Sequence, residues 1–150
     1  VTAAAVKEAG AAGTLLNHAE HKLGGAVAVG RHIAAAKMLS LKTVVCAVDN
    51  AEAAAIARVQ PAPDCIAVEP PELIGGKVSV SEAKPELIAT AVAAVKKANS
   101  GITVLCGAGV NSRGDVQKAL ELGTEGILVA SSVVLAKSPG KALMELISGA

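Results

Sequence analysis

Short apolar, β-branched runs alternate along the chain with longer Ala-rich stretches of helical spacing. The apolar runs cover residues 13–17, 43–47, 65–69, 103–106 and 126–129. None has the strict polar alternation of a half-exposed strand, so they predict strands of a parallel sheet buried on both faces. The Ala-rich stretches predict helices over 1–10, 30–39, 51–59, 85–99 and 113–122, with a last one from Pro139 to Gly149. Their ends carry the expected signals. Asp49-Asn50 and Asn111-Ser112 are N-cap pairs, and Ser138 caps the last helix. Pro85 and Pro139 sit in first turns, while Gly10, Pro61, Gly101 and Gly123 stop what precedes them.

The order is α-β-α-β-α-β-α-β-α-β-α, and strict alternation implies parallel strands joined by right-handed crossovers. No linker or charge block interrupts it, so residues 1–150 form one domain. An open doubly wound sheet and a (β/α)8 barrel both have this rhythm. A barrel ordinarily takes about 250 residues and rarely fewer than about 200, so pattern alone favours the open sheet.

Composition narrows the function classes. The chain is 52% hydrophobic and 18% charged, with a formal net charge of +1 and no Phe, Tyr or Trp. That is too apolar for disorder. The balanced charge and the missing stacking rings argue against nucleic acid as a partner. No uncharged apolar run reaches the length of a membrane span. Residues 1–12 lack the basic and apolar regions of a signal peptide. Three cysteines, Cys46, Cys65 and Cys106, form no CxxC and read as buried thiols of a reduced, cytoplasmic protein.

In parallel α/β folds the chemistry sits on loops that follow the strands. The predicted strands lead into Asn17-His18-Ala19-Glu20, Asp49-Asn50, Glu69-Pro70-Pro71, Gly107-Ala108-Gly109 and Ala130-Ser131-Ser132. His18 and Glu69 are thereby brought to one end of the sheet, and such a pair can transfer protons near neutral pH. The alternatives are a hydrogen-bonded structural histidine and a helix-capping glutamate. His21 and His32 read as a loop and a helix residue. After Glu69, the stiff Pro70-Pro71, an apolar tip at Leu73-Ile74 and the free Gly75-Gly76 have the make-up of a hinged lid. The two small-residue loops would let backbone N–H groups approach an anion such as a phosphate.

These residues resemble a known family. Gly13-Thr14-Leu15-Leu16-Asn17-His18-Ala19-Glu20 is similar to the catalytic-histidine strand of archaeal-type triosephosphate isomerases, which usually read Asn-His-Ser-Glu. Ala67-Val68-Glu69-Pro70-Pro71-Glu72-Leu73-Ile74-Gly75 resembles their catalytic glutamate and lid. Val104-Leu105-Cys106-Gly107-Ala108-Gly109-Val110 and Leu128-Val129-Ala130-Ser131 resemble their two phosphate loops. The resemblance runs over essentially the whole chain. It implies an incomplete (β/α)8 TIM barrel, with this chain as strands four to eight and the family's first third without a counterpart.

The resemblance also implies roles. Glu69 is the base that moves a proton between two substrate carbons, His18 the neutral electrophile, and Glu20 a residue supporting His18. Ile74, Gly75, Gly109, Ala130 and Ser131 hold the phosphate through backbone N–H groups. The implied reaction interconverts dihydroxyacetone phosphate and D-glyceraldehyde 3-phosphate, a step of glycolysis and gluconeogenesis, with neither cofactor nor metal. The implied partners are a small phosphorylated triose and other copies of the chain, as a dimer or tetramer. Three departures stand out. The family's lysine and nearby asparagine, on its first strand, have no counterpart. Gly75-Gly76-Lys77 replaces Gly-Thr-Gly, and Ala130-Ser131-Ser132 replaces Ala-Ser-Gly. The alternatives are an inactive phosphate-binding module or scaffold, and another phosphate-binding barrel enzyme.

Overall fold

The computed structural model describes residues 1–76 and 78–150. Five strands, β1 (Gly13–Leu16), β2 (Lys42–Ala47), β3 (Cys65–Val68), β4 (Thr103–Cys106) and β5 (Gly126–Ile127), alternate with helices. The helices are α1 (Ala3–Glu8), α2 (Ala26–Met38), α3 (Asn50–Ala57), α4 (Val80–Ala83), α5 (Pro85–Ala98), α6 (Arg113–Glu121), α7 (Ser131–Val134) and α8 (Pro139–Ile147). All strand pairs are parallel, and the sheet order β1-β2-β3-β4-β5 follows the chain.

That order decides between the two architectures. A doubly wound sheet reverses direction at a switch point and carries helices on both faces. Here there is no reversal. The buried strand residues of the main core cluster, such as Val45, Ala47, Ile66, Val68, Val104 and Cys106, all share one parity along their strands. They pack against Val29 and Ile33 of α2, Ile56 of α3, and Ile88 and Val95 of α5. On the opposite face, Cys46 and Ala67 at the C-terminal end are buried without belonging to that cluster, while Val44, Cys65, Thr103 and Leu105 are half-buried and Leu15 is exposed. Helices therefore cover one face of an open, singly wound sheet. The architecture is α/β, a partial TIM barrel, and the expectations of double winding and of two covered faces are corrected.

Several boundaries differ from the sequence expectation for physical reasons. Helix α2 begins at Ala26 rather than residue 30, because Gly24 and Gly25, at φ 80° and 99°, make the turn into it. Strand β1 stops at Leu16, since Asn17 takes a left-handed φ of 59°. Strand β3 stops at Val68, although the Glu69 N–H still donates to the Ala47 carbonyl at 2.8 Å; Pro70 then has no N–H to continue the ladder. Strand β5 shortens to two residues. The 3-10 turn Pro71–Leu73 and the short α4 and α7 have no strong sequence signal. Ser132 lies inside α7, so its departure from glycine requires no special backbone. Lys77 falls outside the described residues.

Two of the three expected caps form side-chain bonds; Ser138 holds the N-cap position of α8, but its side chain makes no capping bond. The Asp49 carboxylate accepts the Glu52 N–H at 2.8 Å, and Ser112 and Asp115 form a capping box on α6. At the N-terminal end of the strands, Asp64 accepts from Lys37 Nζ (2.8 Å), Lys42 Nζ (3.1 Å) and the Thr43 N–H (2.9 Å). All three cysteines are free; Cys46 and Cys106 are buried as expected, whereas Cys65 is only half-buried. No described helix is long and apolar enough to cross a membrane.

Candidate active site

The site lies beyond the C-terminal ends of the strands. Glu69 has the parity of Ala67, which places it on the open face of the sheet rather than under the helices. It is 4% exposed, and its Oε2 has no hydrogen-bond partner among the described residues. Burial holds its carboxyl above the ordinary carboxylate range, against the opposing pull of the Cys46 thiol, His18 and Lys22. The same proximity acts in reverse. Burial and then the Glu69 carboxylate push the Cys46 thiol far above an ordinary thiol.

His18 faces Glu69 with Nε2 at 3.9 Å from Oε2, a gap too long for a direct hydrogen bond. The Glu20 N–H donates to His18 Nδ1 at 3.4 Å. A ring nitrogen that accepts carries no proton, so in this geometry Nε2, the atom that faces Glu69, is the one free to donate.

A cavity of about 200 Å³ opens beside the pair. Seven of the eight residues singled out in the sequence line it: His18, Glu69, Ile74, Gly75, Gly109, Ala130 and Ser131. The eighth, Glu20, does not. Its carboxylate sits 3.6 Å from His18 Nδ1 with 89% of the side chain exposed, so it meets the back of the ring and not the cavity. Among the described residues, no lysine or arginine lines this space. An anion there would meet backbone N–H groups. Those of Ser131 and Ser132, at the start of α7, have no acceptor within their own helix.

The segment after β3 is tied to the loop after β4. The Val80 N–H donates to the Ala108 carbonyl at 3.0 Å, and Asn111 Nδ2 donates to the carbonyls of Gly76 (3.1 Å) and Gly109 (2.5 Å). Gly109, at φ 68°, has no room for a side chain, because a Cβ there would lie 2.1 Å from the Val78 carbonyl oxygen. Glu72 pairs with Lys84. Sequence reasoning missed Asn111 and Gly107 as cavity residues in their own right. Gly107 was visible only as part of a Gly-Ala-Gly loop, and Asn111 only as part of a cap pair.

Comparison with known proteins agrees with this architecture. A model of the triosephosphate isomerase family matches residues 1–150. The chain belongs to the triosephosphate isomerase family. It is 51% identical over 144 residues to the triosephosphate isomerase of Methanothermus fervidus, covering 95% of this chain and 63% of that protein. The isomerase of Methanosarcina acetivorans is 46% identical over 142 residues, again 95% and 63%. That of Cenarchaeum symbiosum is 49% identical over 139 residues, 93% and 61%. The chain thus spans less than two thirds of the length of these isomerases. Among solved structures, thiamine phosphate pyrophosphorylase from Pyrococcus furiosus superposes with a TM-score of 0.68 at 20% identity, covering 98% of this chain and 63% of that one. Mandelate oxidase superposes at 0.57 and 23% identity, covering 80% and 35%. At these identities the likeness is one of fold alone.

Proposed function

We propose that this chain carries the proton-transfer and phosphate-binding parts of a triosephosphate isomerase site, as strands four to eight of its barrel. One observation carries the reading: His18 Nε2 and Glu69 Oε2 face each other at 3.9 Å on the rim of the cavity that Gly75, Gly109 and Ser131 also line. Glu69 takes a proton from the carbon beside the substrate carbonyl and returns it to the neighbouring carbon. Its buried, unpartnered Oε2 and raised pKa suit a carboxylate acting as base. His18, neutral with its hydrogen on Nε2, polarises the carbonyl oxygen in both directions; a Glu base beside a neutral His is the arrangement known for this enzyme family. The lid excludes water from the enediolate, whose phosphate would otherwise be lost. No step uses a cofactor. A cytoplasmic, homo-oligomeric protein completes the proposal; the free thiols and the exposed Val134, Leu135, Met144 and Ile147 of α7, α8 and the loop between them support it.

The second reading, a phosphate-binding module without isomerase activity, is favoured by the absence of any described cation in the cavity. Loss of one preorganised electrostatic group costs roughly 2.7–4 kcal/mol of transition-state stabilisation. The two readings separate by assay with glyceraldehyde 3-phosphate. The 150-residue chain alone is expected to turn over negligibly, and the chain in its full-length context rapidly. A full-length protein that binds inorganic phosphate yet does not isomerise the triose supports the module.

A further inference from the structure

Asn17 precedes His18 and lines none of the cavity, yet it is 2% exposed with a left-handed φ of 59°. Asparagine tolerates that backbone better than most side chains. Its carboxamide is fully engaged. Nδ2 donates to the Cys46 carbonyl and to Glu52 Oε1, each at 2.9 Å, and Oδ1 accepts the Leu23 N–H at 3.0 Å. Glu52, in the first turn of α3, accepts in addition the Val48 N–H at 2.8 Å and Lys22 Nζ at 2.8 and 3.0 Å.

These bonds close a ring around His18. The β1–α2 loop leaves the strand at Asn17, turns through the bond from the His21 N–H to the His18 carbonyl (2.9 Å), and is fastened again at Lys22 and Leu23. The Glu20 N–H that fixes His18 Nδ1 lies inside that turn. On the other side, the Cys46 carbonyl is held at the end of β2, and the Cys46 side chain neighbours Glu69. One network thus touches the carriers of both facing groups.

We propose that the bonded pair of buried Asn17 and half-buried Glu52 is the positioning device of this site, holding the β1–α2 loop so that His18 presents its Nε2 hydrogen to the cavity opposite Glu69. The inference deepens the isomerase reading and rests on it for kinetics, but not for the geometry of the ring. Ionised Glu52 suits the role because it is an acceptor only. Burial works against its charge, and the Lys22 ammonium, the Val48 N–H and the Asn17 carboxamide outweigh that effect and hold it below the ordinary carboxylate range. Asn17 and Glu52 are positioning residues, since neither reaches the space where a substrate would sit.

Nitrogen-15 NMR of the His18 ring tests the clamp, with His18→Gln identifying its signals among those of the other histidines. The full-length wild type is expected to show one bare and one protonated ring nitrogen, well separated. Asn17→Gly keeps a left-handed backbone and deletes the carboxamide, and Glu52→Gln keeps the shape and removes the charge. Both are expected to draw the two ring signals together as the tautomers exchange. Lys118→Met, on the exposed face of α6 and outside this network, is expected to leave them apart. In the full-length protein the first two variants are expected to lower kcat about 10- to 100-fold while KM stays within about twofold, as for a misplaced catalytic group. Wild-type ring signals in both Asn17→Gly and Glu52→Gln overturn the proposal; if Asn17→Gly does not fold, Glu52→Gln decides alone. A full-length wild type without isomerase turnover defeats the functional reading, and the ring spectra still decide the clamp.

Discussion

Gly107 makes room for Glu69. A Cβ on Gly107 would lie 2.4 Å from Cγ of Glu69 and 2.7 Å from its Oε1, closer than any real contact. The two residues sit at the ends of adjacent strands, and the missing side chain of one is the space that the carboxylate of the other fills. Gly107→Ala is therefore expected to displace Glu69 toward the cavity and to destabilise the fold by about 1–3 kcal/mol through overpacking. Thermal unfolding of the variant checks this, and an unchanged melting temperature contradicts it.

Gly140→Ala is expected to act in the opposite sense. Gly140 lies within α8, and nothing stands within 4 Å of where its Cβ would be. Alanine there relieves the entropic weakness of a helical glycine, a gain of about 0.5–1 kcal/mol in denaturant unfolding.

Glu69→Gln is expected to stabilise the fold at neutral pH. The wild-type carboxylate is buried with one oxygen unpartnered, and its pKa is raised by burial. A folded-state pKa above the unfolded one means that the native state binds more protons between the two values, so wild-type stability falls as pH rises through that window. The variant lacks this penalty. Its advantage is expected to be absent in acid, to grow upward from a pH of about 4.3, and to level off above the folded pKa at about 1–3 kcal/mol. Unfolding curves at several pH values read it; an advantage that is independent of pH rules the explanation out.

Asp64→Asn is expected to show the reverse dependence. Burial opposes the Asp64 charge, but the bonds to Lys37, the Thr43 N–H and Lys42 prevail and depress its pKa. A depressed folded pKa gives stability that is fully present above the unfolded value, about 3.9, and that is lost as acid titrates the group toward its lower folded value. Removing the charge is expected to cost about 1.5–3 kcal/mol at pH 7, as for hydrogen bonds to a charged group, and progressively less in strong acid.

Much of this arrangement was legible in the chain, and what was not has identifiable causes. Strands β2 and β4 appear within a residue of where their β-branched runs lie, because burial of a short apolar run leaves few other conformations. Their winding was not legible, since the βα rhythm is common to barrels and doubly wound sheets and only the spatial order of strands separates them. The start of α2 was missed because Gly30 was read as a boundary; a pair of positive-φ glycines makes the boundary earlier, at Gly24 and Gly25. That His18, Glu69, Ile74 and Gly75 would gather at one end of the sheet was visible through strand-end position and resemblance. The side-chain bonds from Asn17 to Glu52 and the fit of Glu69 against Gly107 join residues 35 and 38 positions apart, which no local pattern reports.

The most direct test of the proton-transfer role is the turnover of Glu69→Gln in the full-length protein with glyceraldehyde 3-phosphate as substrate. A positioned base contributes about 10²- to 10⁴-fold, so kcat is expected to fall by at least that lower factor while affinity for inorganic phosphate persists. A variant that isomerises the triose at the wild-type rate contradicts the assignment of Glu69 as the base.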